Sequence, residues 1–187
     1  MNKSIKDTVE YADITMAVIS GDITRVDSDA IITAINSKGL WFGGIDEAIY
    51  RVAGDFYHKQ VSNEKLMDLG VVVARGSHNN HKGKFDNAVF VVDDLKSELC
   101  TIIARGLECA DVAGFKKVAI PAIRTGVMLG VVEISLEQVV DEYMLGIRMY
   151  VNRKISKGQI PGIQTITFVT YNNPRLEEIL RWVIFHG

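Results

Sequence analysis

The 187 residues include only two cysteines, three prolines and four histidines, and no long apolar run. Each scarcity excludes something. Cys100 and Cys109 fall in one predicted helix, nine positions apart, a rise of about 13 Å. That is well beyond disulfide reach, so both are expected as reduced core residues. No CxxC pair and no HExxH helix occurs, which leaves no recognisable metal site. His78 and His81 stand three apart in a polar loop, but no acid or thiol lies beside them in the sequence, so a metal is not expected there. No apolar stretch approaches the about 20 residues of a membrane span. The opening MNKSIKDTVEYADI lacks the apolar core of a signal peptide, so a cytoplasmic location is expected. Excess charge is missing too. The net charge is -2, from 21 Lys and Arg against 23 Asp and Glu. Basic residues look scattered, so no nucleic-acid partner is expected.

What is present is an ordinary globular composition, 48% apolar and 24% charged. Residues 1–12 are polar and read as a lead-in or a short edge element, with a single domain over 13–187. Residues 14–20 form a β-rich run that ends at Gly21 and Asp22. Residues 30–35 form a second short apolar run, too brief for a helix and typical of a strand covered on both faces. From Ile45 the period changes: Ile45, Ala48, Ile49, Val52, Ala53 and Phe56 are at helical spacing, with Asp46 and Glu47 in the first turn. Gly54 is a kink or break before a second helical piece towards Leu66. Strands are predicted over 70–74, 87–92, 117–121 and 163–170. Helices are predicted over 95–113, stopped by Gly114, over 133–150 with Ile134 inward, and from Asn173 and Pro174 onward. Alternation of strands and helices predicts a three-layer α/β/α sandwich around a mixed, mostly parallel sheet.

Two stretches carry the chemistry. In 21–54 a strand end leads to the Gly43 and Gly44 pair, which opens a helix. In 118–130 a strand runs into a Pro and Gly loop. Glycine lets backbone N–H groups approach an anion, and a helix N-terminus adds partial positive charge. A GxGxxG fingerprint is absent, which argues against a standard NAD-binding domain.

In order and spacing these stretches resemble the macro domain family of ADP-ribose-binding modules. Residues 21–24, GDIT, match the family's opening motif, and 29–36, DAIITAIN, resembles its DAIVNAAN strand. Residues 41–54, WFGGIDEAIYRVAG, resemble GGGGVDGAIHRAAG, and 119–127, AIPAIRTGV, resembles AFPAISTGV. The resemblance covers nearly the whole chain. It implies that Asp22, with the Ile23 backbone beside it, receives the adenine amino group. Gly43, Gly44 and Ile45 would wrap the diphosphate from one side, and Thr125, Gly126, Val127 and Met128 from the other. Tyr171 would pack on the adenine. Asn36 would face the distal ribose and place water, and Asp46 would activate that water or stabilise an oxocarbenium-like state. No metal or cofactor is implied.

Departures cluster at the ribose end. Thr33 replaces the first Asn of NAAN, Ile35 its second alanine, and Trp41 and Phe42 the first two glycines of the tetrad. Arg124 replaces a serine, with a fork that could reach a phosphate. Met128 and Leu129 alter the second loop, and the strand end often reading HTVGP is FVVDD at 90–94. The expected function is binding of ADP-ribose or a related ADP-ribosyl metabolite, with hydrolysis of ADP-ribosyl or O-acetyl-ADP-ribose esters open. The alternatives are a non-catalytic reader module, or a divergent domain with a changed ligand. The oligomeric state is not legible.

Overall fold

The computed structural model describes residues 8–39 and 44–187; Trp41, Phe42 and Gly43 lie outside the described residues. Seven strands form one sheet: β1 (Thr8–Tyr11), β2 (Ile14–Ser20), β3 (Ser28–Ile35), β4 (Val71–Ala74), β5 (Phe85–Val92), β6 (Lys117–Pro121) and β7 (Thr165–Thr170). Their spatial order is β1-β2-β7-β6-β3-β5-β4. The five inner strands run parallel, and the antiparallel β1 and β4 close the two edges. The mixed, mostly parallel sandwich expected from the sequence is the fold observed. Within the polar lead-in, Thr8–Tyr11 is an edge strand.

Parallel neighbours need crossover helices, and those helices bury both sheet faces. α1 (Gly44–Ala53) and α2 (Phe56–Ser62) cover one face. α3 (Leu99–Val112), α4 (Leu136–Ser156) and α5 (Pro174–His186) cover the other. The period of two along β3 divides it cleanly between the layers. Ala30, Ile32 and Ala34 pack with α3 and α4, whereas Ile31 and Ile35 pack with Ile49 and Tyr57.

Several boundaries differ from the sequence reading. Gly54, at φ +59°, breaks the first helical stretch into α1 and α2, as its position suggested. α3 begins at Leu99 rather than 95, because the Asp93 carboxylate accepts from the Leu95 N–H and Leu95 sits at φ +58°, incompatible with a helix. Ser135 caps α4 through the Gln138 N–H, so Ile134 lies before the helix and is exposed instead of inward. α4 runs on to Ser156, past the polar residues at which the apolar pattern fades.

α3 and α4 lie side by side in the same direction, and glycine permits their approach. A Cβ on Gly146 would stand 2.7 Å from the Cys100 carbonyl oxygen and 2.7 Å from the Ile103 Cβ. Helix propensity alone would favour alanine there by about 1 kcal/mol. Overpacking against backbone costs more, so Gly146→Ala is expected to lower stability by about 1–2 kcal/mol net, read as a lower urea midpoint. A neutral or raised midpoint would refute the close-packing account.

Candidate functional site

The site forms where β3 and β6 part. Their ladder registers only at Ala30 with Val118 and Ile31 with Ala119. Pro121 has no N–H to continue it. Beyond that point the chain after β3 leads to α1 on one face, and the chain after β6 leads to α4 on the other. Adjacent strands whose loops leave in opposite directions open a crevice at their carboxyl ends. Here it is a cavity of about 570 Å³.

The residue types at its rim explain their own placement. Gly21, at φ +149°, turns the chain out of β2 while its N–H donates to the Thr170 carbonyl. Asp22 then caps the 3-10 turn Ile23–Arg25: its Oδ1 accepts from the Thr24 N–H (3.0 Å) and the Thr24 hydroxyl (2.7 Å). Its Oδ2 accepts from Arg51 at 3.0 Å. Partial burial pushes the Asp22 carboxyl up, but the Thr24 donors and Arg51 outweigh it and hold the group below the usual carboxylate range. The ionised form is therefore favoured in the folded protein. Its stabilisation is present above the ordinary carboxylate pKa and is lost as pH falls below it.

Across the cavity, Thr125 is braced by its hydroxyl, which donates to the Ala122 carbonyl at 2.9 Å. The backbone N–H groups of Thr125, Gly126, Val127 and Met128 have no acceptor among the described residues. Four consecutive unbonded amides beside a cavity form a concave donor array suited to an anion. On the facing wall, α1 presents its N-terminus, where the first amides of a helix have no intrahelical partner.

Of the residues singled out from the sequence, Asp22, Ile23, Gly44 and Ile45 line the cavity from one side. Thr125, Gly126, Val127 and Met128 line it from the loop after β6, and Tyr171 from the end of β7 beside Gly21. Val127 is 91% and Tyr171 69% exposed, so both stand at the mouth. Gly43 is outside the described residues. Asn36 and Asp46 are not among the described lining residues. The Asn36 carboxamide oxygen accepts from the Lys38 N–H within its own turn. On α1 the lining residues Gly44, Glu47, Ala48 and Arg51 fall at i, i+3, i+4 and i+7, one helical face, and Ile45 joins them at the helix start. Asp46, two residues from Gly44, projects from another face and pairs with His58 of α2.

Arg124 corrects the sequence reading. Its side chain is 1% exposed and turned into the protein, held by Asp93 and Glu133, so its fork does not reach towards a phosphate. Sequence reasoning also missed Arg51 and Glu47 at the cavity; the α1 periodicity just described is the signal that places them. His78 meets Asp86, and His81 meets the Tyr57 hydroxyl, so the two histidines are drawn to different partners. Among the described residues the one grouping of possible metal ligands is Glu98, Cys100 and Glu142. Burial, then the Glu142 carboxylate beside it, pushes the Cys100 thiol up to about 12. Both cysteines are free, as expected. No helix among the described residues is long and apolar enough to cross a membrane.

A largely parallel sheet with a ligand-sized crevice at diverging loops defines an open α/β binding domain. Comparison with known proteins narrows the class. No family model matches the chain. It is 31% identical over 122 residues to a macro domain-containing protein of Streptomyces coelicolor, covering 60% of this chain and 72% of that protein. It is 29% identical over 126 residues to an O-acetyl-ADP-ribose deacetylase of Cronobacter turicensis, covering 59% of this chain and 68% of that one. Among solved structures it superposes on the Trypanosoma brucei macrodomain in complex with ADP-ribose with a TM-score of 0.72 at 17% identity. That match covers 90% of this chain and 68% of the other. The chain belongs to the macro domain family.

The Asp22 cap gives a first test of the site. Thr24 is buried, and Thr24→Val removes the shorter of its two bonds to the carboxylate while keeping its shape. The expected cost is about 1–2 kcal/mol in chemical denaturation. An unchanged midpoint would mean that the cap does not order this rim.

Proposed function

We propose that this chain binds ADP-ribose, or a metabolite carrying an ADP-ribosyl group, and acts first as a binding module. The observation that carries this reading is the facing pair of donor arrays, the unbonded amides of Thr125 to Met128 and the N-terminus of α1. Together they suit a diphosphate, which needs many donors and little fixed counter-charge. Asp22 lies at the same cavity with Oδ2 still able to accept a second donor, as an exocyclic amino group would require. Tyr171 at the mouth offers a ring face for a base. The complex of the Trypanosoma brucei macrodomain with ADP-ribose supports the same choice of ligand.

Hydrolysis is a second reading, favoured by an acid in the first turn of α1 and by the likeness to the Cronobacter turicensis deacetylase. Against it stands the placement of Asp46, whose carboxylate faces His58 rather than the described cavity wall. Asn36 is engaged in its own turn. Both groups would have to reorient to place water at a ribose.

Calorimetric titration with ADP-ribose decides between binding and a changed ligand. Saturable binding is expected, weakened at least tenfold by Asp22→Ala, which corresponds to about 1.4 kcal/mol. Absence of binding by the unaltered chain would overturn the proposal. Turnover of an ADP-ribosyl ester that Asp46→Ala abolishes would promote the second reading, and binding without turnover would exclude it.

The held-down Asp22 carboxyl sets the pH dependence. Because it remains ionised well into acid, ADP-ribose affinity is expected to be level between about pH 8 and pH 5, with loss only below about pH 4. A tenfold loss between pH 7 and pH 5 would show that Asp22 does not carry the adenine end.

A further inference from the structure

The turn after β5 carries two aspartates in succession, and each is bonded to a different segment of the chain. The Asp94 carboxylate accepts the Ser37 N–H at 2.8 Å, in the segment that leaves β3. The Asp93 carboxylate faces the other way, into a buried cluster with Arg124 and Glu133. Within it all three nitrogens of the Arg124 guanidinium donate to acceptors of the protein. Nε and Nη2 donate to Asp93 at 2.9 and 2.7 Å. Nη1 donates to both Glu133 oxygens at 2.7 and 2.9 Å, and Nη2 also to the Ser97 carbonyl at 2.8 Å. Glu133 is anchored further by the Leu99 N–H at 3.0 Å, the first residue of α3.

Arg124 and Glu133 are the two ends of one loop. Between them lie Thr125 to Val132, including the four amides without an acceptor among the described residues, and the Arg124–Glu133 ion pair closes the loop at its neck. Within the loop the Leu129 N–H donates to the Gly126 carbonyl and the Val131 N–H to the Met128 carbonyl, while the Thr125 hydroxyl, the Gly130 N–H and the Leu129 side chain tie it to Ala122, Glu133 and the core. Arg124 itself sits at φ +60°, a conformation that a non-glycine residue keeps only when its surroundings impose it. One cation between two carboxylates is also a poor choice for stability alone, since apolar replacements of such clusters are often as stable. An arrangement that fixes one loop geometry is what this cluster does well.

We propose that Arg124 is a positioning residue for the ligand loop. With Asp93 and Glu133 it clamps the neck of residues 125–132 and holds the amides of Thr125 to Met128 in the array that receives the diphosphate. Through the adjacent Asp93 and Asp94 the same turn ties this neck to the segment that leaves β3. The affinity part of this proposal rests on the ADP-ribosyl reading of the site; the geometric part does not.

The test uses the full chain with Glu133→Gln, which keeps shape and removes charge. Arg124→Lys, with three donors in place of five, is the second variant should the first not fold. Backbone order parameters of Thr125 to Met128 are expected to fall from about 0.85 to below about 0.6. Hydrogen exchange at Leu129 and Val131 is expected to rise at least tenfold, while amides of β3 and β7 keep their rates. ADP-ribose affinity is expected to fall about tenfold, mainly through faster dissociation. An unchanged loop would overturn the proposal, as would exchange raised equally across the sheet, which would mark the cluster as a stability element only. A loosened loop with unchanged affinity would overturn its role in binding. If the unaltered chain does not bind ADP-ribose, the ligand reading falls, and the order parameters and exchange rates still decide whether Arg124 fixes the loop.

Discussion

The constraint from which this architecture follows is that five parallel strands must be covered on both faces. Each parallel connection has to cross the sheet, and a right-handed crossover can be laid on one face or the other. Once α1 and α2 take one face and α3 to α5 the other, two neighbouring strands must send their loops apart. Those strands are β3 and β6, and Pro121 loosens their pairing just where the loops diverge. The cavity is thus a consequence of how the sheet is covered. The site residues occupy a position that the topology had already opened.

Elements whose local pattern and tertiary role agree were legible in the sequence. β3 carries an apolar run over residues 30–35, interrupted only by the buried Thr33, because both its faces are buried, and α1 shows a helical period because one side is covered. The Asn173 cap with Pro174 behind it marks the start of α5 at the residue where it occurs. The misreadings arise where a neighbouring polar side chain takes a backbone N–H and overrides the apolar pattern. Leu95 fits the apolar stripe of α3, yet the Asp93 carboxylate takes its N–H and turns the chain the other way. Ile134 fits the stripe of α4, yet Ser135 caps the helix one residue later.

The site divides along the same line. Residues that act through backbone atoms or by their place at a strand end, such as Asp22 and Thr125 to Met128, fall at the cavity because the fold alone delivers them there. Residues read by side-chain type were harder to place. Arg124 looked like a phosphate ligand because its partners are remote in sequence: Asp93 precedes it by 31 residues and Glu133 follows it by nine. No local rule pairs them. The departures at 93 and 124 were read as separate losses of family pattern, whereas the structure brings them together as one buried ion cluster. Asp46 shows the reverse limit. Its type and position in the first turn suit water activation, but two residues of helical rotation from Gly44 turn it towards His58.

Helix polarity carries this argument to the opposite pole. α3 and α4 run together, with their N-termini towards the cavity end and their carbonyl-rich C-termini away from it. Basic residues that look scattered in the sequence gather at those C-termini. Arg75, Arg105, Arg153, Lys154 and Lys157 line a second groove there. Arg75 donates to the Ala113 carbonyl at the end of α3, Arg153 reaches Glu108 and Lys154 reaches Asp111. Cations in such a place answer the partial negative charge of helix ends and the acids beside them. Local clustering of positive charge in this groove therefore need not signal an anionic partner. At the opposite end the acids Asp22, Glu47 and Asp93 and the cations Arg51 and Arg124 all line the cavity. Arg51 is paired with Asp22, and Arg124 with Asp93 and Glu133. At both poles, then, the cations answer acids of this chain, and it is the helix ends that differ, carbonyl-rich at one pole and amide-rich at the other.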